Sequence, residues 1–399
     1  MTASVSQPPS ICFVGLGNLP MLTREYGSRQ AGGAELQQTL LAKALAQRGW
    51  SVSMVLADCG QPDGATWDGV RTFKAYRLEE GIPLVRFLHP RWTKLTSALR
   101  RADADIYYSS CAGAHLAQVV MFAHRRGRKA AFRIASNADC DPKELLVEFW
   151  RDRLLYRHGL ARADLVLAQT ARPQQLLRET FGRESRLAPS LFERADRCLA
   201  FEERDLDVLW VGNIRQVKRP DLLLALARRL PALEFHMVGG SLPGAERLYE
   251  AIRREAAGLR NVTFRGAVPY QDVQNLYARA RILVGTSEVE GFPNTYLQAW
   301  AHGTPVVAFL DPDGLLRRHG MGRAVTTLEE MGAAVAALRG DRTQWERAAA
   351  CAQECLEERW PEEKVLAPYL EALTALRAPS PGARLRRGPC ADGPVTSPR

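Results

Sequence analysis

The sequence predicts an α/β protein built from two doubly wound, parallel-sheet domains in tandem. Three observations carry this expectation. The chain has 399 residues, more than one ordinary core accommodates. It opens with a strand, a helix and a second strand, a unit that closes only as a parallel pair. Past a polar stretch near the middle, the alternation of short apolar runs with helical periodicity begins again.

Residues 11–15 read as a buried strand. After a polar, glycine-rich loop, residues 34–48 place Leu36, Leu40, Leu41 and Leu45 at helical spacing, up to a stop at Gly49. Strands follow at 51–57, 104–108, 130–134 and 165–168, and a helical segment comes after each of the last three. The first domain is therefore placed at 1–190 and a polar, irregular linker at 191–205. In the second domain, 206–343, strands are read at 207–211, 234–238, 262–265, 282–286 and 305–309. Helices are read at 220–229, 246–257 and 272–279, with Pro220 where a first turn accepts proline. Residues 344–377 read as terminal helices packing back across the domains. The tail, 378–399, is rich in Pro, Gly and Arg, has almost nothing to bury and is expected to be disordered.

Hydrophobic residues make up 46% and charged residues 25%, a soluble globular balance. No run approaches the ~18 apolar residues of a membrane-crossing helix. The opening MTASVSQPPS lacks the basic and apolar regions of an export signal, and none of the eight cysteines forms a CxxC pair. Reduced thiols and a cytoplasmic location are expected. The net charge of +10 favours anionic partners, namely phosphates or an anionic membrane surface. Nucleic acid is disfavoured, because neither zinc-finger spacing nor an RNP-type aromatic motif is present.

Open parallel sheets bind ligands beyond the carboxyl ends of their strands, so the βα loops hold the candidate residues. In the first loop, Gly15 and Gly17 form half of a dinucleotide fingerprint, but Pro20 occupies the third glycine place, which counts against NAD and an oxidoreductase. Gly32 and Gly33 stand directly before a helix, where free N–H groups and the dipole suit a phosphate; a simple turn is the alternative. The loop WVGNIRQVKRP carries Arg215 and Lys218 at a strand end, two cations able to hold a diphosphate, or else a solvated basic loop.

The loop SEVEGFPNTYLQAWAHGTPVVAF, from Ser287, delivers Glu288 and Glu290. Asn294 or Thr295 is expected to cap the helix that follows. Glu290 can accept hydrogen bonds from vicinal hydroxyls, and Gln298, eight residues on and read as two turns along the same face, can reach a second set. This suits a polyhydroxylated ligand such as a sugar nucleotide; an acidic loop with a capped helix is the alternative.

On these residues the chain resembles the retaining GT-B glycosyltransferases of family four. EGFPNTYLQAWAHGTPVV is similar to their E-x(7)-E signature, GGAE to their N-terminal glycine motif and WVGN…K to their phosphate loop, over most of the chain. The resemblance implies a GT-B fold, two Rossmann-like domains facing a cleft, with the donor nucleotide in the second domain and the acceptor mostly in the first. It implies that Lys218 binds the diphosphate and Glu290 the sugar hydroxyls. The amides of Gly291, Phe292, Asn294 and Thr295 would touch sugar and phosphate, Gln298 would face the ribose, and Gly33 would approach from across the cleft. Two positions depart from the pattern: Gln298 where a second glutamate is usual, and Asn213 where an arginine is usual, with Arg215 two residues later.

The resemblance further implies front-face attack with retention, no cofactor and no metal, so Asp139-Cys140-Asp141 and Asp311-Pro312-Asp313 read as loop aspartates. A UDP-sugar is the donor expected on frequency. YYSSCAGAHLA with ASNADCD resembles bacterial members that build surface polysaccharide, which implies a glycan or lipid-linked acceptor. His115, Asn137 and Asp139 follow strand ends and are the acceptor-side candidates, with a structural role as the alternative for each. RWTKLTSALRRA puts Trp92, Leu95 and Leu99 on one face of a basic helix and HRRGRK adds charge, a pattern suited either to anionic lipid or to packing on a core. A catalytically silent nucleotide-sugar-binding partner of another transferase is the competing reading, motivated by Asn213 and Gln298.

Overall fold

The computed structural model describes residues 8–26, 32–82, 85–242, 244–287 and 289–377. The tail read as disordered, 378–399, and Glu288 lie outside them. The first domain runs β1 (Ser10–Val14), α1 (Leu19–Leu22), α2 (Gly33–Gln47), β2 (Ser51–Leu56), β3 (Thr66–Trp67), β4 (Val70–Lys74) and α3 (Thr93–Ala102). It continues with β5 (Ile106–Ser110), α4 (His115–Arg125), β6 (Lys129–Arg133), α5 (Trp150–Arg162), β7 (Leu165–Ala168), α6 (Ala171–Phe181) and β8 (Arg186–Leu187). The strands lie side by side as β3-β4-β2-β1-β5-β6-β7-β8, all parallel except the β3–β4 hairpin.

The second domain runs β9 (Leu206–Val211), α7 (Pro220–Arg229), β10 (Phe235–Val238), α8 (Glu246–Ala257), β11 (Val262–Gly266), α9 (Tyr270–Arg279) and β12 (Ala280–Gly285). Then come α10 (Asn294–Ala301), β13 (Val306–Ala308), α11 (Leu315–His319), β14 (Gly322–Ala324) and α12 (Leu328–Gly340). Its sheet order is β11-β10-β9-β12-β13-β14, parallel throughout. Order reverses between β9 and β12 here, and between β1 and β5 in the first sheet. These are the doubly wound switch points, where the loops on either side diverge and leave a crevice.

The strand expected at 104–108 begins two residues later, at Ile106. Side chains rather than the ladder hold the displaced residues: Ala104 N donates to Tyr107 Oη (3.1 Å), and Asp105 N donates to Ser10 Oγ (2.9 Å). Of the face read in the sequence, Leu95 and Leu99, together with Ala98, are buried in the core of the first domain, while Trp92 stays half-buried. No helix among the described residues is long and apolar enough to cross a membrane.

Two buried arginines fasten the connections. Arg204, in the linker, donates to Ala280 O (2.6 Å), Thr304 Oγ1 (2.7 Å), His302 O (2.6 Å) and Leu199 O (3.0 Å), and burial lowers its pKa to about 10. Removing such a charge from water is tolerable only when nearly every N–H finds an acceptor, as here. Arg133, on β6, donates to Tyr369 Oη (3.2 Å) and Ser190 Oγ (3.1 Å). Tyr369 belongs to α14 (Glu362–Arg377), which follows α13 (Arg342–Arg359). While α13 packs on α10 of the second domain, α14 packs on β5 and β8 of the first.

His302 lies behind this linker anchor, against the Tyr277 ring and Gln274 Oε1 (3.1 Å). Burial, then the Arg204 charge, lowers its pKa from the ordinary 6.5 to about 4. The unfolded chain therefore takes the proton first. Stability from the neutral ring is complete above about pH 6.5 and is lost as pH falls toward 4. Burial lowers His115 and His236 in the same direction. Thermal denaturation between pH 7 and 4 should show the melting midpoint of wild type falling more steeply than that of His302→Gln; parallel curves would refute the assignment.

Candidate active site

The loops after β9 and β12 flank the switch point of the second domain. The β9 loop holds Arg215, then a tight turn at Gln216–Lys218, then Arg219 in a left-handed conformation (φ 46°) from which α7 starts. Trp210 Nε1 donates to Thr286 Oγ1 (2.8 Å), and that hydroxyl donates to Lys218 O (2.6 Å). Thr286 is completely buried. The relay ties the lysine's backbone to the end of β12 and so joins the two loops. Lys218 Nζ and Glu290 form a hydrogen-bonded ion pair, both side chains mostly buried. Arg215 stands half-buried three residues before Lys218, its side chain making no ion pair among the described residues.

After Glu290 the backbone stays non-helical through Gly291, Phe292 and Pro293, and α10 begins at Asn294. Two expectations change. Neither Asn294 nor Thr295 caps the helix: Pro293 is the cap residue and no side chain closes the first turn. As the first helical residue, Asn294 instead sends its amide to the other domain. Gln298 lies little more than one turn into α10, because three loop residues separate Glu290 from the helix. It is buried, and its amide bonds to no other described residue. Tyr296 N turns back to Pro293 O (3.0 Å), which leaves the N–H groups of Asn294 and Thr295 to whatever occupies the crevice, an anion-favouring arrangement.

The first domain closes on this loop. Asn294 Nδ2 donates to Gly33 O (2.9 Å), and Gln37 Nε2 donates to Asn294 Oδ1 (3.0 Å). A Cβ on Gly33 would lie 2.5 Å from Asn294 Nδ2; one on Gly291 would lie 1.8 Å from Gln169 Nε2 and 2.9 Å from Ala135 O. Phe292 is buried and meets the Trp360 ring at 6.2 Å, beside the start of α14. Gly15 has a local reason: a Cβ there would lie 2.2 Å from Asn18 Oδ1.

On the opposite wall, His115 opens α4 with Nε2 3.2 Å from Ser110 O, and burial lowers its pKa, so the ring is neutral at pH 7. The Asp139 carboxylate accepts from Ala135 N (2.8 Å) and Ser136 N (3.3 Å), while burial holds its pKa up. Its acceptor capacity goes to shaping the loop after β6. Asn137 Oδ1 and Gln169 Oε1 are buried and accept no hydrogen bond from a described residue. Gln37, Gln169 and the Trp210–Thr286 relay were not singled out from the sequence. Gln37, Gln38 and Thr39 did carry a signal: three polar residues in a row, all buried, inside a leucine-rich helix.

Residues 205–341 match the family described as glycosyl transferases group 1, and residues 32–190 match the glycosyl transferase 4-like domain. The chain is similar to a D-inositol 3-phosphate glycosyltransferase of Mycobacterium sp. (strain KMS), 30% identical over 162 residues, 39% of this chain and 37% of that protein. A protein of the same description from Nocardia farcinica (strain IFM 10152) is 31% identical over 215 residues, 47% of this chain and 48% of that one. The chain thus spans less than half the length of these relatives. Among solved structures it resembles sucrose-phosphate synthase from Thermosynechococcus elongatus, with a TM-score of 0.70 and 19% identity over 92% of this chain and 99% of that one. Anabaena HepE in complex with UDP and glucose gives 0.68 and 17% over 92% and 100%. At such identities these structures speak to the fold, which is that of GT-B glycosyltransferases.

The missing space at Gly291 makes a prediction. Gly291→Ala should force the domains apart, seen as a larger radius of gyration in small-angle scattering with an unchanged melting profile. An unaltered scattering curve would mean that the loop absorbs the methyl group locally.

Proposed function

The chain belongs to the group 1 glycosyl transferases and has the GT-B fold, and we infer that it moves a sugar from a nucleotide-sugar donor to a glycan or lipid-linked acceptor, with retention. One observation carries this reading: the Lys218–Glu290 pair stands beside the uncapped start of α10 at the switch point of the second sheet. A diphosphate is the one donor group that answers both the lysine and the helix N–H groups. Lys218 exchanges Glu290 for phosphate, and the carboxylate so released accepts hydrogen bonds from the donor sugar. Arg215 adds charge beside the phosphates, and the amides of Gly291, Phe292, Asn294 and Thr295 line their approach.

The acceptor hydroxyl attacks from the face the diphosphate leaves, and the departing phosphate oxygen takes its proton. The protein's part is positioning and stabilisation of the leaving charge. This role for cations of the chain needs no metal. The unpaired acceptors of Asn137 and Gln169 suit a hydroxyl-bearing acceptor held against the first domain. A UDP-sugar fits this reading, in keeping with the UDP bound by HepE. Work on bacterial surface polysaccharide beside a membrane is the setting that the glycan or lipid-linked acceptor suggests.

Lys218→Ala and Glu290→Ala should each lower kcat/KM at least about tenfold, roughly 1.4 kcal/mol, with transfer unaffected by EDTA. Near-normal turnover in both variants would displace the donor site. Gln298→Glu should tighten nucleotide binding several-fold by supplying a charge-assisted bond to a ribose hydroxyl, as read by calorimetry. The departures at Asn213 and Gln298 favour a second reading, a silent nucleotide-sugar-binding partner; tight nucleotide binding without turnover would select it.

A further inference from the structure

The two basic segments legible in the sequence, residues 91–102 and 124–129, meet in the fold. They line a cavity of about 600 Å³ between α3 and α4. Both helices run back from the cleft edge of the first sheet, so the cavity reaches toward the edge opposite the donor loops. Gln118 ties its walls together, donating from Nε2 to Trp92 O (2.6 Å) and Thr96 Oγ1 (3.0 Å). Trp92, Met121 and Phe122 supply apolar lining.

Four arginines are among the residues that line this space: Arg100, Arg125, Arg126 and Arg128. Arg128 is shared between Asp105 (2.9 Å) and Asp103 (3.4 Å), and Arg126 lies over the Phe122 ring at 5.4 Å. The side chains of Arg100 and Arg125 make no ion pair or hydrogen bond with a described residue. One cation at the carboxyl end of each helix is accounted for by the helix dipole. Four arginines around one cavity, with a single aspartate in its lining, exceed that.

We propose that this groove is a second anion site, separate from the donor cleft, that takes a phosphate-bearing group against the Arg100–Arg125 pair. The planar fork of arginine is matched to phosphate, and the apolar lining suits whatever carries it. That phosphate belongs either to a lipid headgroup or to a soluble phosphate ester. The site does not depend on the reading of the donor cleft.

The test uses the full chain carrying Lys218→Ala, so that the donor loop does not report, and the same protein with Arg100→Gln and Arg125→Gln. Pyrophosphate binding is measured by calorimetry, and binding to vesicles of phosphatidylglycerol or of phosphatidylcholine by flotation at low salt. Pyrophosphate, phosphatidylglycerol vesicles or both should bind the parent and bind the double variant at least about tenfold more weakly, with partial rescue by Arg100→Lys and Arg125→Lys. Binding to vesicles alone identifies a headgroup as the source, and binding to pyrophosphate alone a soluble ester. Absence of binding to both probes, or equal binding by parent and double variant, overturns the site.

Discussion

At two points the domains approach so closely that a side-chain carbon would displace what faces it, an amide side chain at Gly33 and both a side chain and a backbone carbonyl at Gly291, and the geometry of the cleft depends on both. Gly33 leaves room for the Asn294 amide, and Gly291 leaves room for Gln169 and Ala135. Because these glycines belong to opposite walls, the loop after β12 is held between the domains. Asn294, a natural capping residue, is thereby drawn across the cleft to Gly33 and Gln37. The start of α10 remains without a side-chain cap as a direct result. The same contacts that position the loop also leave the N–H groups of Asn294 and Thr295 unused by the described residues.

Charge at the site is arranged economically. Lys218 and Glu290 neutralise each other, so neither is desolvated alone, and the Trp210–Thr286 relay fixes the lysine's backbone from behind. A half-buried pair of this kind adds modestly to stability, because its attraction is offset by lost hydration. Its larger consequence is selective. A ligand that satisfies only the lysine leaves a carboxylate unpaired, whereas one bearing both a diphosphate and hydroxyls answers the two together. Asp139 is different: its oxygens are committed to backbone amides and act through the shape of the loop after β6.

Much of this architecture was legible in the sequence. Strand and helix periodicity placed most elements within a residue or two, and the restart after residue 205 marked the second sheet. The Lys218 and Glu290 loops followed from their positions at strand ends. What was not legible depended on partners far along the chain. The short β3–β4 hairpin exists through its pairing with β2 rather than through its own pattern. Asn294 read as a cap because local rules cannot see Gly33, 261 residues away. Trp92, Leu95 and Leu99 read as one apolar face. Burial takes Leu95 and Leu99 into the core, while half-buried Trp92 is left in the groove beside Arg100.

The hold of Arg133 on Tyr369 assigns the last described helix to the first domain, although the helix before it belongs to the second. The polypeptide therefore passes between the domains twice, once through the linker ahead of β9 and again near Trp360. A body joined at one point can swivel in any direction; joined at two, it turns about the line between them. Two crossings leave the cleft fewer ways to open than one would. Phe292 rests on Trp360, at the second of these crossings, so the loop after β12 is braced where the chain passes back to the first domain.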